Sequence, residues 1–198
     1  GAVVLGINPL NMQGEAMGQA LEQVLNIYRG FGMQEHELAQ MSDTMQSLLE
    51  LMKIVLPAGF AIASIIDTYL NFWVSKVILQ KLGHKVQSFP PFKQWQLPKY
   101  VVYLFAAALI VVYLGKMQEL TMVYNIGMNL QVIVSILLLV QGLALFNFLA
   151  DKYNLSKIVR GIILVLLLSN GLFTQIAIFA GAFDIVFDYR RLRTPPPA

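Results

Sequence analysis

At 198 residues the chain is long enough for a large domain, but it is 57% hydrophobic and 13% charged. Soluble domains carry about a quarter charged residues, so this balance excludes the soluble class and points to a membrane protein. The net charge of +3 includes no Lys/Arg run suited to a nucleic-acid backbone, which excludes nucleic acid as a partner. The absence of cysteine removes disulfides, thiol nucleophiles and thiolate metal sites.

The opening GAVVLGINPL reads as the end of an apolar helix that starts earlier, so a longer protein is expected. It has neither a basic n-region nor a small-residue cleavage site, so a signal peptide is not expected. Residues 1–52 carry six acids against Arg29 alone. Two amphipathic helices fit this region. Ala16, Met17, Ala20, Leu21, Val24, Leu25 and Tyr28 keep helical spacing up to a stop at Gly30, and Leu38, Met41, Met45, Leu48, Leu49 and Met52 form a second stripe.

Apolar runs of about the 20 residues needed to cross a bilayer follow at 54–79, 99–114 (extended at both ends), 124–149 and 158–187. The expected architecture is therefore all-α: a polytopic transmembrane bundle of about four segments at 53–193, preceded by the amphipathic pair at 1–52 and followed by a Pro-rich tail at 194–198. Between the first two runs, Lys76, Lys81, Lys85, Lys93 and Lys99 occur with no acid. The positive-inside rule places this connector, residues 81–98, on the cytoplasmic side of a bacterial plasma membrane and residues 8–52 outside. Asp151, Lys152, Lys157 and Arg160 agree with the same side.

The last run leaves two readings open. One long tilted helix would leave Arg190, Arg191 and Arg193 outside, against the rule. A break at Ser169-Asn170-Gly171 would return the tail inside, but each arm would be under about 17 residues, which favours the single helix.

The connector contains FPPFKQWQLPKY at 89–100. Its aromatic rings suit the headgroup level and its lysines suit lipid phosphates, so Phe92, Lys93, Trp95, Lys99 and Tyr100 are expected to anchor it at the membrane interface. Pro98 suits the first turn of the following helix.

Polar residues inside apolar runs are the candidate ligand-binding positions, because an ionised group at mid-bilayer costs at least ~2.5–3.5 kcal/mol and faces protein or water. Asp67 shares a helix face with Ser64, Asn71 and Ser75. It reads either as a substrate or proton site or as a packing contact. Asn129 shares a face with Asn125 and Asn147, whereas Gly127, Gln131, Ser135 and Gly142, like Gly59 and Ala63 on the first run, are spaced for close helix packing. Asn170 and Asp184 complete the candidate set with Asp67, Asn71 and Asn129. Asp188 and Arg191, three apart, are expected to form a helix-end ion pair, and Arg191 could also reach Asp184.

His36 and His84 belong to no HExxH pattern, and no GxSxG, Walker or GxGxxG motif is present. No catalytic residue, metal or cofactor is assigned, and the chain is not expected to be an enzyme. Met41, Met45 and Met52 read as adaptable packing rather than metal ligands.

The LPA at 56–58, NFWVSKVILQKLG at 71–83, the Pro-Pro and Trp-x-Leu-Pro of the connector, Gln141-Gly142 and the ending FDIVFDYRRL at 183–192 together resemble the C-terminal two-thirds of the bacterial YybS-type membrane proteins. This family of uncharacterised role is distantly similar to the S components of energy-coupling factor (ECF) transporters. The resemblance implies further membrane helices before Gly1 as partners within the same protein. It also implies small-molecule binding in a helical bundle, with an ECF-type transmembrane subunit and ATPases as partners in addition to the lipid bilayer. The competing expectation is a non-transporting membrane scaffold or regulator that binds partner proteins.

Overall fold

The computed structural model describes residues 9–84 and 89–192, without the side chains of 9–17 and 19. The expected end of a preceding helix at 1–7, Lys85, Arg193, the tail at 194–198 and the side chains of Ala16 and Met17 lie outside the described residues. The described regular structure is entirely helical: α1 Pro9–Gly30, α2 Glu35–Lys81, α3 Tyr100–Met117, α4 Thr121–Lys152, α5 Lys157–Ser169 and α6 Gly171–Phe187, with a 3-10 turn at Phe92–Gln94. Three of these helices, α2, α3 and α4, are long and apolar enough to cross a membrane, and the bent pair α5–α6 makes a fourth candidate. The chain forms two compact units, Gly1–Leu56 and Pro57–Ala198.

In the first unit, α1 stops at Gly30, the residue expected to end it. Gly32 takes φ +85°, a conformation without steric cost only for glycine, and Arg29 Nε reaches Glu35 Oε1 across the turn at 3.1 Å. The second amphipathic stripe has no end of its own. It continues without interruption into the first apolar run as one 47-residue helix, because no residue between Leu38 and Leu56 stops a helix. Pro57 then lies inside α2, although an interior proline lacks an N–H and clashes with the preceding turn. The N–H of Ala58, the next residue, donates to Asn129 Oδ1 of α4 at 2.8 Å, so a neighbouring helix supplies a hydrogen bond beside the proline.

The second unit is organised around α4. α3 and α4 form an antiparallel hairpin closed by Glu119 at φ 53°. α6 packs on the same helix, and Val101, Phe105, Val134, Leu138, Ile178 and Ile185 make the shared core. Glycines set these distances. A Cβ on Gly115 would strike the Tyr124 backbone, one on Gly127 would strike Val112, one on Gly142 would collide with the Ala177 carbonyl, and one on Gly181 would collide with the Leu138 carbonyl. Backbone-to-backbone approach of this kind maximises dispersion where lipid tails leave no hydrophobic drive between helices. Gly59 has open space where its Cβ would be, so the close packing expected of it is absent among the described residues.

The last apolar run is not one helix, and the expectation of a single tilted crossing is corrected. α5 and α6 bend by 102° at Asn170, whose extended backbone (φ −121°, ψ 122°) ends one helix while its Oδ1 caps the next by accepting from Leu172 N at 2.9 Å. The Thr174 hydroxyl bridges the break to Leu167 O at 2.7 Å. An Asn that caps backbone groups with its own side chain competes with helix continuation. The outer ends of the two arms, of 13 and 17 residues, meet at one end of the bundle. Arg160 in the first turn of α5 binds Asp151 at 2.5 Å, Asp151 binds Lys93 at 2.8 Å, and Arg190 beyond α6 donates to the Lys93 carbonyl at 2.6 Å.

Glycine contacts predict opposite outcomes at two positions. Gly142→Ala should lower the melting temperature in detergent, by an overpacking cost of about 1–3 kcal/mol. Gly161→Ala, where a Cβ meets nothing within 4 Å, should raise it through helix propensity, worth about 1 kcal/mol. Equal melting shifts would refute the packing account.

Candidate functional site

The connector is bound to the bundle by a buried polar cluster. Arg190, 5% exposed, donates to both carboxylate oxygens of Asp184 on α6, with Nη2 at 2.8 Å, and to the carbonyls of Lys93 and Trp95 at 2.6 and 2.7 Å. Gln141 of α4 donates to Asp184 Oδ2 at 2.6 Å and accepts from Leu97 N at 3.0 Å. Three separate segments therefore meet at one carboxylate. Both charged side chains are fully buried, a position that is tolerated only with full hydrogen bonding.

Arg190 is the residue that the sequence pattern missed. Extending helical spacing past Phe187 favours Arg191, but the helix ends at Asp188, which takes the left-handed conformation (φ 48°). The chain reverses there, bringing Arg190 back onto Asp184. Asp188, expected to pair with Arg191, accepts from Gln96 Nε2 at 2.7 Å and from Leu192 N at 3.1 Å, which adds a further tie to the connector.

The expected interface residues divide by partner. Trp95 is the hub of an aromatic cluster: its ring meets Phe92, Phe89 and Tyr69 edge-on at centroid distances of 5.3, 6.2 and 6.2 Å, and its Nε1 donates to Pro90 O at 2.9 Å. Phe89 also packs on Phe72 of α2. Lys93 is paired with Asp151, Lys99 is the N-cap residue of α3 and Tyr100 opens that helix, exposed over 62% of its surface. The Pro98 carbonyl accepts from Val101 N, but Pro98 precedes the N-cap Lys99 rather than lying in the first turn of α3 as expected.

The five candidate ligand-binding residues do not form one cluster. Asp67 and Asn71 are joined, with Asn71 Nδ2 donating to Asp67 Oδ2 at 3.1 Å. They lie on an exposed face of α2, beside a groove of about 410 Å³ lined by Ser64, Thr68, Tyr69, Phe72 and Phe89. Tyr69 touches the connector, which puts Asp67 at the connector's level of the bundle. Asn170 caps α6, and Asp184 holds Arg190. Asn129 supports α2 beyond Pro57 and donates to Asn125 O at 2.8 Å.

Asn125 and Asn129 line a second cavity, of about 640 Å³, with Pro57, Thr121, Met122 and Ile126. Among the described residues, Asn125 Oδ1 is a buried atom without a hydrogen-bond partner. The Asn125/Asn129 spacing is visible in sequence, but which of the two is already satisfied depends on the Ala58 N–H that α2 presents beside Pro57. No group of three metal-ligating side chains occurs among the described residues.

The clamp gives a double-mutant test. Breaking a buried pair by removing one partner costs about 3–5 kcal/mol, whereas apolar replacement of both is near neutral or better. Arg190→Met alone should sharply lower the melting temperature in detergent, and Arg190→Met with Asp184→Leu should recover part of it. A double variant no better than the single one would show that the Lys93 and Trp95 carbonyls, not the ion pair, carry the effect.

The sequence and this architecture agree with the comparisons. No solved structure matches the chain. It is 25% identical over 189 residues to the "Uncharacterized protein YybS" of Bacillus subtilis (strain 168), covering 94% of this chain and 60% of that protein. A family model described as "Predicted membrane protein (DUF2232)" matches residues 1–185. The chain belongs to this DUF2232 family of predicted membrane proteins.

Proposed function

We propose that the chain is part of a multi-pass membrane protein that binds a small molecule within its helical bundle, in the manner of a transporter's binding component, and that it is not an enzyme. The observation that carries this reading is the unpartnered Asn125 Oδ1 at the 640 Å³ cavity. Small-molecule sites commonly measure ~300–1,000 Å³ and are mostly apolar with a few placed polar groups. An unmet buried acceptor costs about 1–3 kcal/mol, and a ligand N–H or O–H would recover it. The expected ligand is thus a small hydrogen-bond donor with an apolar body.

The re-entrant reading of α5–α6 also resolves the charge pattern. It gathers Lys93, Lys152, Arg160, Arg190 and Arg191 at one end of the bundle, which the positive-inside rule makes cytoplasmic. An ECF-type transmembrane subunit and ATPases remain the proposed partners on the strength of the family resemblance. The exposed Ser64, Asp67 and Asn71 on α2 favour the second reading, a scaffold whose polar face docks a partner protein, because a carboxylate facing lipid is costly.

Asn125→Leu separates ligand binding from folding. In the full-length protein it should raise the ligand-free melting temperature, by relieving the unmet acceptor, and abolish the thermal shift produced by any metabolite that stabilises the wild type. A lowered melting temperature would show that Asn125 is structural and remove the cavity as a site. Co-purification in mild detergent should recover ECF-type subunits, and recovery of a different stable partner would favour the scaffold.

Reporters fused within the connector and after Ala198 should localise to the same, cytoplasmic side. Opposite sides would mean that α5–α6 crosses the membrane as a broken span.

A further inference from the structure

Next to the clamp, and sharing Arg190 with it, the turn after α6 and the end of α4 border a third cavity, of about 490 Å³, lined by Phe148, Lys152, Phe187, Asp188, Tyr189, Arg190 and Arg191. We propose that it is a binding site for the headgroup of an anionic phospholipid. The argument is independent of the transporter reading and rests on charge, shape and continuity with apolar surface.

Of the three cations at this cavity, Arg190 is neutralised by Asp184. Lys152 and Arg191 have no ion pair among the described residues, and Lys152 Nζ lies 5.4 Å from the Tyr189 ring and 5.8 Å from the Tyr153 ring. Two cations opposed by the single carboxylate of Asp188 leave one positive charge, which matches the single negative charge of a phosphodiester. Asp188 and Arg191 both hold positive φ, 48° and 51°. Non-glycine residues adopt that conformation at a cost, and such residues cluster at ligand clamps.

The apolar lining specifies an amphiphile rather than a free anion. Phe179, Phe183 and Phe187 fall four residues apart on one face of α6 and are exposed by 47, 61 and 71%, with the last two rings stacked at 5.9 Å. This stripe leads from the cavity along the helix, so an acyl chain can follow it while the phosphate rests on Lys152 and Arg191. Basic pockets between membrane helices on the cytoplasmic side hold anionic headgroups in this way. Lys93, one of the two connector lysines expected to meet lipid, is paired with Asp151.

The test is native mass spectrometry of the delipidated full-length protein, titrated with phosphatidylglycerol, with phosphatidylcholine of the same chains, or with inorganic phosphate. Phosphatidylglycerol should bind in preference to phosphatidylcholine. Lys152→Gln with Arg191→Gln should weaken it by roughly thirty-fold at low salt, Lys152→Arg should retain it, and Phe183→Ser should weaken it without unfolding the protein. Equal binding of the two lipids, or an unchanged double variant, would overturn the proposal. Displacement of phosphatidylglycerol by millimolar inorganic phosphate, with Phe183→Ser silent, would show a simple anion site and overturn it equally.

Discussion

The second unit depends on one buried carboxylate. Asp184 accepts from Arg190 and Gln141, and those two residues in turn hold the carbonyls of Lys93 and Trp95 and the N–H of Leu97. A connector with three prolines among residues 89–98 has few backbone hydrogen bonds of its own to offer. Its path is therefore set by side chains reaching in from α4 and from the turn after α6. Desolvating an ion pair is expensive, and it is sustained here because the lone pairs and donors of both groups are used. The return is geometric: three segments distant in sequence acquire one relative position.

Around that cluster, the helices are held by close approach rather than by hydrophobic burial. Gly142 and Gly181 let α4 and α6 meet backbone to backbone, and Gly115 and Gly127 do the same for α3 and α4. Large side chains such as Phe183, Ile162 and Leu172 remain exposed, which is costly in water and expected in lipid. The polar residues follow the same division. Those that join helices are hydrogen-bonded, whereas Asn125 Oδ1 is a buried atom with no partner among the described residues.

Much of this was legible beforehand. Gly30 marks a helix end, and Gly127 and Gly142 mark close contacts, because each of these depends on local chemistry or helical spacing. Errors arose where a local rule met a longer-range partner. The amphipathic stripe at 38–52 suits a separate helix, yet no stop signal follows it, and beside Pro57, the nearest candidate, the Ala58 N–H donates to Asn129 from 71 residues away in sequence. Arg191 was favoured over Arg190 because helical spacing was carried past a left-handed residue that ends the helix.

Sequence alone determined the solvent of this protein, its all-helical class and the basic character of its connector, since hydropathy and charge are sums over local composition. It also identified the polar residues within apolar runs. Only the tertiary structure decided which of them are occupied, that Asp184 takes Arg190, that Asn129 serves α2 while Asn125 does not, and that the final run bends at Asn170. Those outcomes depend on which groups from distant segments arrive within hydrogen-bonding distance, a relation that helical periodicity does not encode.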